Sequence, residues 1–239
     1  MHLSQKRVRP LSLLLLLALL TLLGSQPATA HPSAQTNRPD VIAALVHDPI
    51  LFVHGWSGSA SNWNTMISRF KADGWTTSEL NAWTYNTAQS NATTAQEIKT
   101  RVDQILASTG ATKVDIITHS MGGLSSRYYA KNLGGDTRID AWVSLGGPNH
   151  GTTSANACTQ TSCIEMRIGS TFLTQLNSGD ETPGAPRYAT WWSPCDETIN
   201  PDDTVLLSGA TNTRTACISH LGLLSDAVVY TQVRDWVAR

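Results

Sequence analysis

The chain has 239 residues and a near-neutral charge, with 17 lysines and arginines against 18 aspartates and glutamates. This balance gives no support to nucleic-acid binding, which goes with a strongly basic surface. Hydrophobic residues make up 41% of the chain, which is enough for one substantial core.

The first thirty residues have the three parts of a secretory signal peptide. Basic residues lie within 6–9, a mainly apolar run covers 11–23, and an Ala-x-Ala cleavage site ends at Ala30. A membrane anchor is the alternative, but this run of 13 residues is shorter than the roughly 20 that a spanning helix needs. We therefore expect cleavage before His31, secretion to the extracellular medium, no stable membrane anchor, and a single domain over 31–239.

Strands and helices are predicted to alternate from residue 50 onward. Residues 50–53 form a continuous apolar run of strand length, as central parallel strands do, and a glycine-bracketed loop follows at 54–58. A helix is predicted from near Ser61 to near Gly74. The next strand is expected over 80–85.

The alternation continues through the middle of the chain. Thr94 and Glu97 match a capping box and predict the start of a helix that ends at Gly110. A short strand at 114–117 then leads through a tight turn into a helix over 124–133.

The last third contains a long irregular segment between regular elements. A strand is predicted over 139–145, and the periodic pattern then lapses over 149–187. A segment of this length without periodicity is usually functional or mobile, so we expect a short lid or rim there. Strands over 188–193 and 215–219 and a closing helix over 221–237 complete the prediction.

This order of elements predicts an α/β fold with a mostly parallel central sheet and helices on both faces. In such folds the active loops lie at the carboxyl ends of the strands. The loop at 54–58 and the turn after 114–117 both follow apolar strands, so they are expected at the same edge. The protein is expected to be a monomer.

That turn has the layout of a nucleophile elbow, in which a sharp strand-to-helix turn exposes one serine. Small residues are required two places before and after the central residue, Ser120. Gly122 meets this requirement, whereas Thr118 stands where the pattern has Gly. Ser120 is a candidate nucleophile, and the alternative is a chance match at the start of a buried helix.

A serine hydroxyl needs a general base and a third group that orients the base. In elbow enzymes the acid and then the histidine follow the serine, and only His150 and His220 lie after Ser120. His220 lies between the last predicted strand and the closing helix, where the base is expected. We interpret His150 as a loop residue that could line the substrate cleft.

The acid is expected after the strand at 188–193. Asp196 occupies that place, and three neighbouring acids remain open as alternatives, namely Glu197, Asp202 and Asp203.

The four cysteines have neither a C-x-x-C pair nor a nearby histidine pair, so we predict two disulfides and no metal site. Cys195 directly precedes Asp196, and Cys217 lies three residues before His220. Contact between the acid and the base would bring these two cysteines within disulfide range. The predicted pairs, one of three possible connectivities, are Cys195–Cys217 and Cys158–Cys163.

The negative charge that develops on an ester carbonyl oxygen needs fixed donors. One is expected from the backbone N–H of Met121, directly after the serine, and the other from Trp56 in the loop at 54–58. An ordinary tight turn is the alternative for that loop. No cofactor is expected for this chemistry.

Three segments, 53–58, 114–123 and 219–224, resemble the class 2 family of small secreted bacterial triacylglycerol lipases, in an actinomycete-like form. Residues 196–201 are similar to the D-E-x-V-x-P segment that follows the acid strand in such lipases, which favours Asp196 over its neighbours. Members of this family commonly have Ala at the position of Thr118.

The resemblance implies an α/β-hydrolase, a triacylglycerol lipase that acts through an acyl-enzyme on a lipid or other hydrophobic ester at an oil–water interface. The expected substrate is a triacylglycerol or a simple ester with a medium or long acyl chain. The residue roles that it implies are nucleophile for Ser120, acid for Asp196, base for His220, and backbone oxyanion donors for Trp56 and Met121. A polyesterase and a phospholipid acylhydrolase are the alternative enzymes. A non-catalytic binding protein on the same scaffold is the alternative of a different class.

Overall fold

The structure, a computed structural model, describes residues 47–239. The predicted signal peptide and the cleavage site before His31 lie outside these residues. None of the helices described is long and apolar enough to cross a membrane.

The described residues contain one six-stranded sheet in which every neighbouring pair of strands is parallel. The strands in chain order are β1 (Ile50–Val53), β2 (Leu80–Ala82), β3 (Val114–His119), β4 (Ile139–Leu145), β5 (Arg187–Trp192) and β6 (Thr211–Arg214). Their order across the sheet is β2-β1-β3-β4-β5-β6. The crossover between β1 and β3 places the turn after β3 at the centre of the carboxyl edge.

Helices cover both faces of the sheet. They are α1 (Asn64–Ala72), α2 (Asn91–Thr109), α3 (Gly122–Asn132), α4 (Thr161–Met166), α5 (Thr171–Leu176) and α6 (Ala227–Val237). Successive strand residues point to opposite faces. Leu51 and Val53 accordingly pack with α2 and α3, whereas Ile50 and Phe52 pack with α1 and α6.

The structure corrects the predicted start of α2. Ser90 is the N-cap, and its hydroxyl accepts the N–H of Ala92 at 3.1 Å. Thr94 lies one turn inside the helix instead. The N–H of Asn91 is bound by a carboxylate oxygen of Glu165 at 2.6 Å, a contact across 74 positions that no local pattern reveals.

The final strand and helix also differ from the prediction. β6 comprises residues 211–214, whose side chains are polar and mostly exposed and therefore give no apolar signal. The predicted strand at 215–219 is wrong, since this stretch leads from β6 to His220 without strand structure. The closing helix starts at Ala227, because Asp226 caps it, and a separate 3-10 turn covers Leu221–Leu224.

The irregular segment at 149–187 contains regular structure that its composition did not predict. It folds as a 3-10 turn at Thr153–Ala157 followed by α4 and α5. Both helices have only six residues, too few to display a clear apolar period.

Candidate active site

Ser120 lies at the turn between β3 and α3 with φ at +53°, a left-handed conformation that non-glycine residues adopt rarely. Its N–H donates to the carbonyl of Leu145 at 2.9 Å. A methyl group on Gly122 would lie 2.5 Å from the carbonyl oxygen of Val53. The elbow therefore has the predicted shape, and Gly122 is required because β1 passes directly behind it.

Thr118 fits this turn although the usual pattern has Gly there. Its hydroxyl donates to the carbonyl of Val143 at 2.8 Å, so the buried oxygen is satisfied. A methyl group on Gly123 would lie 3.5 Å from this hydroxyl. Because 3.5 Å is an ordinary van der Waals distance, the side chain of Thr118 causes no steric conflict with the start of α3.

His220 and Asp196 form a buried hydrogen-bonded pair. Nδ1–H of His220 donates to Oδ2 of Asp196 at 2.8 Å, and the two side chains are 6% and 1% exposed. The other carboxylate oxygen accepts the N–H groups of Thr198 and Ile199, each at 2.9 Å. Burial acts to raise the pKa of Asp196, but these hydrogen bonds outweigh it and lower that pKa, so the carboxylate stays ionised.

The alternative acid and base residues have other partners. Glu197 accepts the backbone N–H of His220 at 3.0 Å and does not bind the imidazole. Asp202 and Asp203 begin a 3-10 turn. His150 contacts the carboxylate of Glu181 at 2.8 Å. Among the described residues, Asp196 alone hydrogen-bonds to Nδ1 of His220.

The loop after β1 lies against the serine. A methyl group on Gly55 would lie 2.7 Å from Cβ of Ser120 and 3.3 Å from its Oγ. No hydrogen bond within residues 47–239 uses the backbone N–H of Trp56 or of Met121. Trp56 also lines a cavity beside Ser120, whereas Met121 is buried directly after the serine.

Contacts of His54 hold this loop in place. Its Nδ1–H donates to the carbonyl of Gly55 at 2.8 Å, and its ring stacks on Tyr85 with 4.1 Å between centroids. The hydroxyl of Tyr85 donates to the carbonyl of His54. Burial lowers the pKa of His54, so the ring is neutral at neutral pH.

His119 is a second buried histidine, and it lies beside His220. Its Nε2–H donates to the carbonyl of His220 at 3.1 Å, and the two rings are 4.4 Å apart. Burial, followed by the nearby His220, lowers the pKa of His119 to about 3. A neutral His119 can support the backbone of His220 without opposing a positive charge on its ring.

The structure brings together both of the predicted cysteine pairs. Cys195 and Cys217 lie at disulfide distance with 5.0 Å between their Cα atoms, and Cys158 and Cys163 do so with 5.8 Å. Ser193 adds to the first link, because its hydroxyl accepts the N–H groups of Cys195 and of the residue after Cys217. The segments that carry Asp196 and His220 are therefore joined both covalently and by hydrogen bonds.

A cavity of about 540 Å³ opens beside Ser120 and His220. Its apolar wall comes mainly from the segment after β4. The apolar lining residues include Ala155, Ala157, Met166, Ile199 and Leu221, together with the pair Cys158–Cys163. Trp56 also lines this cavity, and the residue is 43% exposed. The segment at 149–187 thus forms a rim of the site.

Three carboxylates, of Asp48, Asp115 and Asp140, approach within 4.8 Å of one another at the amino end of the sheet. Arg187 binds Asp140 at 2.7 Å, and the N–H of Ala141 donates to Asp115 at 2.9 Å. Burial raises the pKa of Asp115. This cluster is at the opposite end of β3 from Ser120, so it takes no part in the chemistry of the cavity.

The sequence is similar to that of one family of known proteins. The profile described as Lipase (class 2) matches residues 47–220. A triacylglycerol lipase of Burkholderia plantarii is 29% identical over 146 residues, which are 59% of this chain and 40% of that protein. A triacylglycerol lipase of Pseudarthrobacter phenanthrenivorans is 29% identical over 119 residues, or 47% of this chain and 37% of that protein. The matches thus span about two fifths of the length of these relatives.

Solved structures confirm the predicted fold. The mature form of the lipase BlEst2 from Bacillus licheniformis superposes with a TM-score of 0.70 and 17% identity, over 80% of this chain and 92% of that one. Lipase B of Aspergillus fumigatus gives a TM-score of 0.67 and 14% identity over 81% and 53%. The α/β-hydrolase architecture and the family resemblance predicted from the sequence are both confirmed. The chain belongs to the class 2 family of lipases, which are carboxylic ester hydrolases.

Proposed function

We propose that this protein is a secreted serine hydrolase that cleaves carboxylic esters through an acyl-enzyme on Ser120. The observation that carries the proposal is the buried hydrogen bond between His220 and Asp196 at the cavity that also exposes the elbow serine. A proton on Nδ1 of His220 leaves Nε2 of the neutral ring as an acceptor, as a general base requires.

In the proposed reaction, Oγ of Ser120 attacks the ester carbonyl while Nε2 of His220 takes its proton. The N–H groups of Trp56 and Met121 stabilise the tetrahedral oxyanion. His220 then returns the proton to the departing alcohol, and Asp196 stabilises the imidazolium during both transfers. A water molecule then gives a proton to Nε2 of His220 and attacks the acyl carbon, the bond from that carbon to Oγ breaks, and His220 returns the proton to Oγ as the acid leaves.

We propose a triacylglycerol, or a simple ester with a medium or long acyl chain, as the substrate. The apolar wall of the cavity, including Ala155, Met166 and Leu221, supports an apolar acyl group. Two relatives are named triacylglycerol lipases, which supports the same substrate class. Secretion is proposed from the leader pattern at 1–30 and from the two cysteine pairs, since disulfides persist in oxidising compartments.

Replacement of the serine tests the mechanism. Ser120→Ala is expected to lower kcat for p-nitrophenyl esters by about 10⁴-fold or more, because the nucleophile is lost. The matched control is Ser61→Ala, at an exposed serine outside the cavity lining, which should retain the wild-type rate. Substantial turnover by Ser120→Ala, with a circular dichroism spectrum like that of the wild type, would refute the assignment.

The acyl-chain profile tests the substrate. Esters of two to eighteen carbons, together with a phospholipid and an aliphatic polyester, would be compared at equal enzyme concentration. We expect the highest kcat/KM with a medium or long acyl chain. A preference for acetate, phospholipid or polyester would replace the triacylglycerol proposal, and no turnover of any ester would favour the binding-protein alternative.

A further inference from the structure

The loop at 145–149 touches all three members of the proposed triad. The carbonyl of Leu145 accepts the N–H of Ser120 at 2.9 Å. A methyl group on Gly146 would lie 3.1 Å from Oδ2 of Asp196 and 3.2 Å from Nδ1 of His220. A displacement of this loop would therefore shift the serine relative to the histidine and its carboxylate.

Both ends of this loop are fixed. At its start, the N–H of Gly146 donates to the carbonyl of Trp191 in β5 at 2.9 Å. At its other end Asn149 is fully buried, and its Nδ2 donates to the carbonyl of Val205 at 2.7 Å. The carbonyl of Asn149 accepts from Nη2 of Arg127 at 3.1 Å and from Nδ2 of Asn177 at 3.0 Å.

Arg127, in α3, is a buried charge without an acidic partner among the residues described. It is 0% exposed, and it forms no ion pair within that part of the chain. Its Nη2 also donates to Oδ1 of Asn177, while Nε and Nη1 have no hydrogen-bond partner there. Burial lowers its pKa to about 10, so the group remains charged at neutral pH.

A buried charge of this kind is a poor source of stability. Isolated charges are costly to remove from water, and apolar residues of similar volume in place of buried ionic groups often leave stability unchanged or increase it. The contact of Arg127 with the carbonyl of Asn149 is charge-assisted and therefore stronger than a neutral hydrogen bond. Its effect falls on the loop at 145–149 and so on the triad.

We propose that Arg127 and Asn149 are positioning residues for the ester hydrolysis proposed above. The guanidinium holds the carbonyl of Asn149, and through the loop at 145–149 it keeps Ser120 aligned with the His220–Asp196 pair. This inference rests on the proposed function and extends it by two residues, neither of which lines the cavity.

The variant Arg127→Met tests the inference, because methionine fills much of the same volume without a charge or a donor. We expect kcat for a soluble p-nitrophenyl ester to fall about tenfold or more, since small misplacements of reacting groups can cost up to about 10²-fold. KM should stay within about twofold, and the fall in kcat should exceed any fall in the fraction of folded protein measured by circular dichroism. The rate of inactivation by diethyl p-nitrophenyl phosphate should fall by the same factor as kcat, because this reagent also needs an aligned serine and histidine.

Arg187→Met is the matched control. Arg187 binds Asp140 and the carbonyl of Trp236 at the amino end of the sheet, away from the triad. This variant should lose stability and keep its kcat, so that the two variants differ in kcat. Arg127→Lys should recover part of the lost kcat, because an ammonium can still donate to the carbonyl of Asn149.

An Arg127→Met enzyme with a kcat within twofold of the wild type would overturn the inference. A kcat loss that matches only the fraction of unfolded protein would do the same. If Arg127→Met does not fold, the variant Asn177→Ala replaces it, at a half-buried residue that also donates to the carbonyl of Asn149. Asn177→Ala should lower kcat about threefold with KM unchanged. An unchanged kcat would count against the inference. An inactive wild type would overturn the proposed function as well, whereas an active wild type with an unaffected variant would overturn this inference alone.

Discussion

Asp196 uses both of its carboxylate oxygens, and each has a separate task. Oδ2 accepts a hydrogen bond from Nδ1–H of His220, while Oδ1 accepts hydrogen bonds from the N–H groups of Thr198 and Ile199. The second set of bonds fixes the carboxylate independently of the histidine. The imidazole is therefore oriented by a carboxylate that is itself held in place, which keeps the proton on Nδ1 and leaves Nε2 as an acceptor.

Asp196→Asn is expected to lower kcat by about 10³ to 10⁴-fold, because an amide supports the wrong histidine tautomer, as the same change does in serine proteases. The measurement is steady-state hydrolysis of a soluble p-nitrophenyl ester by purified, folded variant. Glu197→Gln is the matched control, since glutamine can still accept the backbone N–H of His220. A loss in Glu197→Gln as large as that in Asp196→Asn would contradict the assignment of the acid.

The residues to which we assign the chemistry were accessible from the sequence, whereas the residues that we propose as positioning residues were not. Ser120, Asp196 and His220 follow a known order with recognisable neighbours, and the structure brings the last two into contact. Arg127 and Asn149 carry no local signal, because their contact depends on how α3 packs against the loop after β4. An arginine inside a helix is more often a solvated surface residue.

At the scale of elements, errors of prediction occurred where distant contacts replace local signals. β6 has no apolar face, because it is a sheet-edge strand with polar side chains. The neighbouring stretch at 215–219 contains Cys217 and Ile218 and so resembled a strand. Its position is set instead by Cys195 and by the hydroxyl of Ser193, both distant in sequence.

The two cysteine pairs are expected to have different effects when removed. Cys195–Cys217 spans 22 positions and joins the segments of the acid and the base, whereas Cys158–Cys163 spans five positions within the rim. Loop entropy predicts losses of about 3 kcal/mol and about 2 kcal/mol respectively in the free energy of unfolding.

The double variants Cys195→Ala/Cys217→Ala and Cys158→Ala/Cys163→Ala would be compared by urea unfolding and ester hydrolysis. The first should lose more stability and also kcat, because the link holds Asp196 near His220. The second should mainly alter the preference for acyl-chain length, since its cysteines line the cavity. Equal kcat losses in both double variants would contradict this division.

For the whole molecule, three side-chain contacts attach the part of the rim at α4 to the core. The indole N–H of Trp56 donates to Gln160 at 2.7 Å. The hydroxyl of Ser162 donates to the carbonyl of Thr87 at 2.6 Å. The carboxylate of Glu165 in α4 caps the start of α2. Because these contacts span the length of α4, opening of the rim as a lid would break several hydrogen bonds at once, each worth about 1 kcal/mol.

A fixed rim predicts that the rate on an ester rises smoothly through its solubility limit, with no jump when droplets form. The measurement is hydrolysis of tributyrin by pH-stat, from well below to well above saturation. The variant Glu165→Ala removes the contact between α4 and the start of α2. A fixed rim predicts that this variant has lower thermal stability and hydrolyses dissolved ester no faster than the wild type. The rate should not rise because the cavity is already open beside the exposed Trp56 and Leu221. A lid would give the opposite result. The wild-type rate would then jump several-fold at saturation, and Glu165→Ala would hydrolyse dissolved ester faster than the wild type.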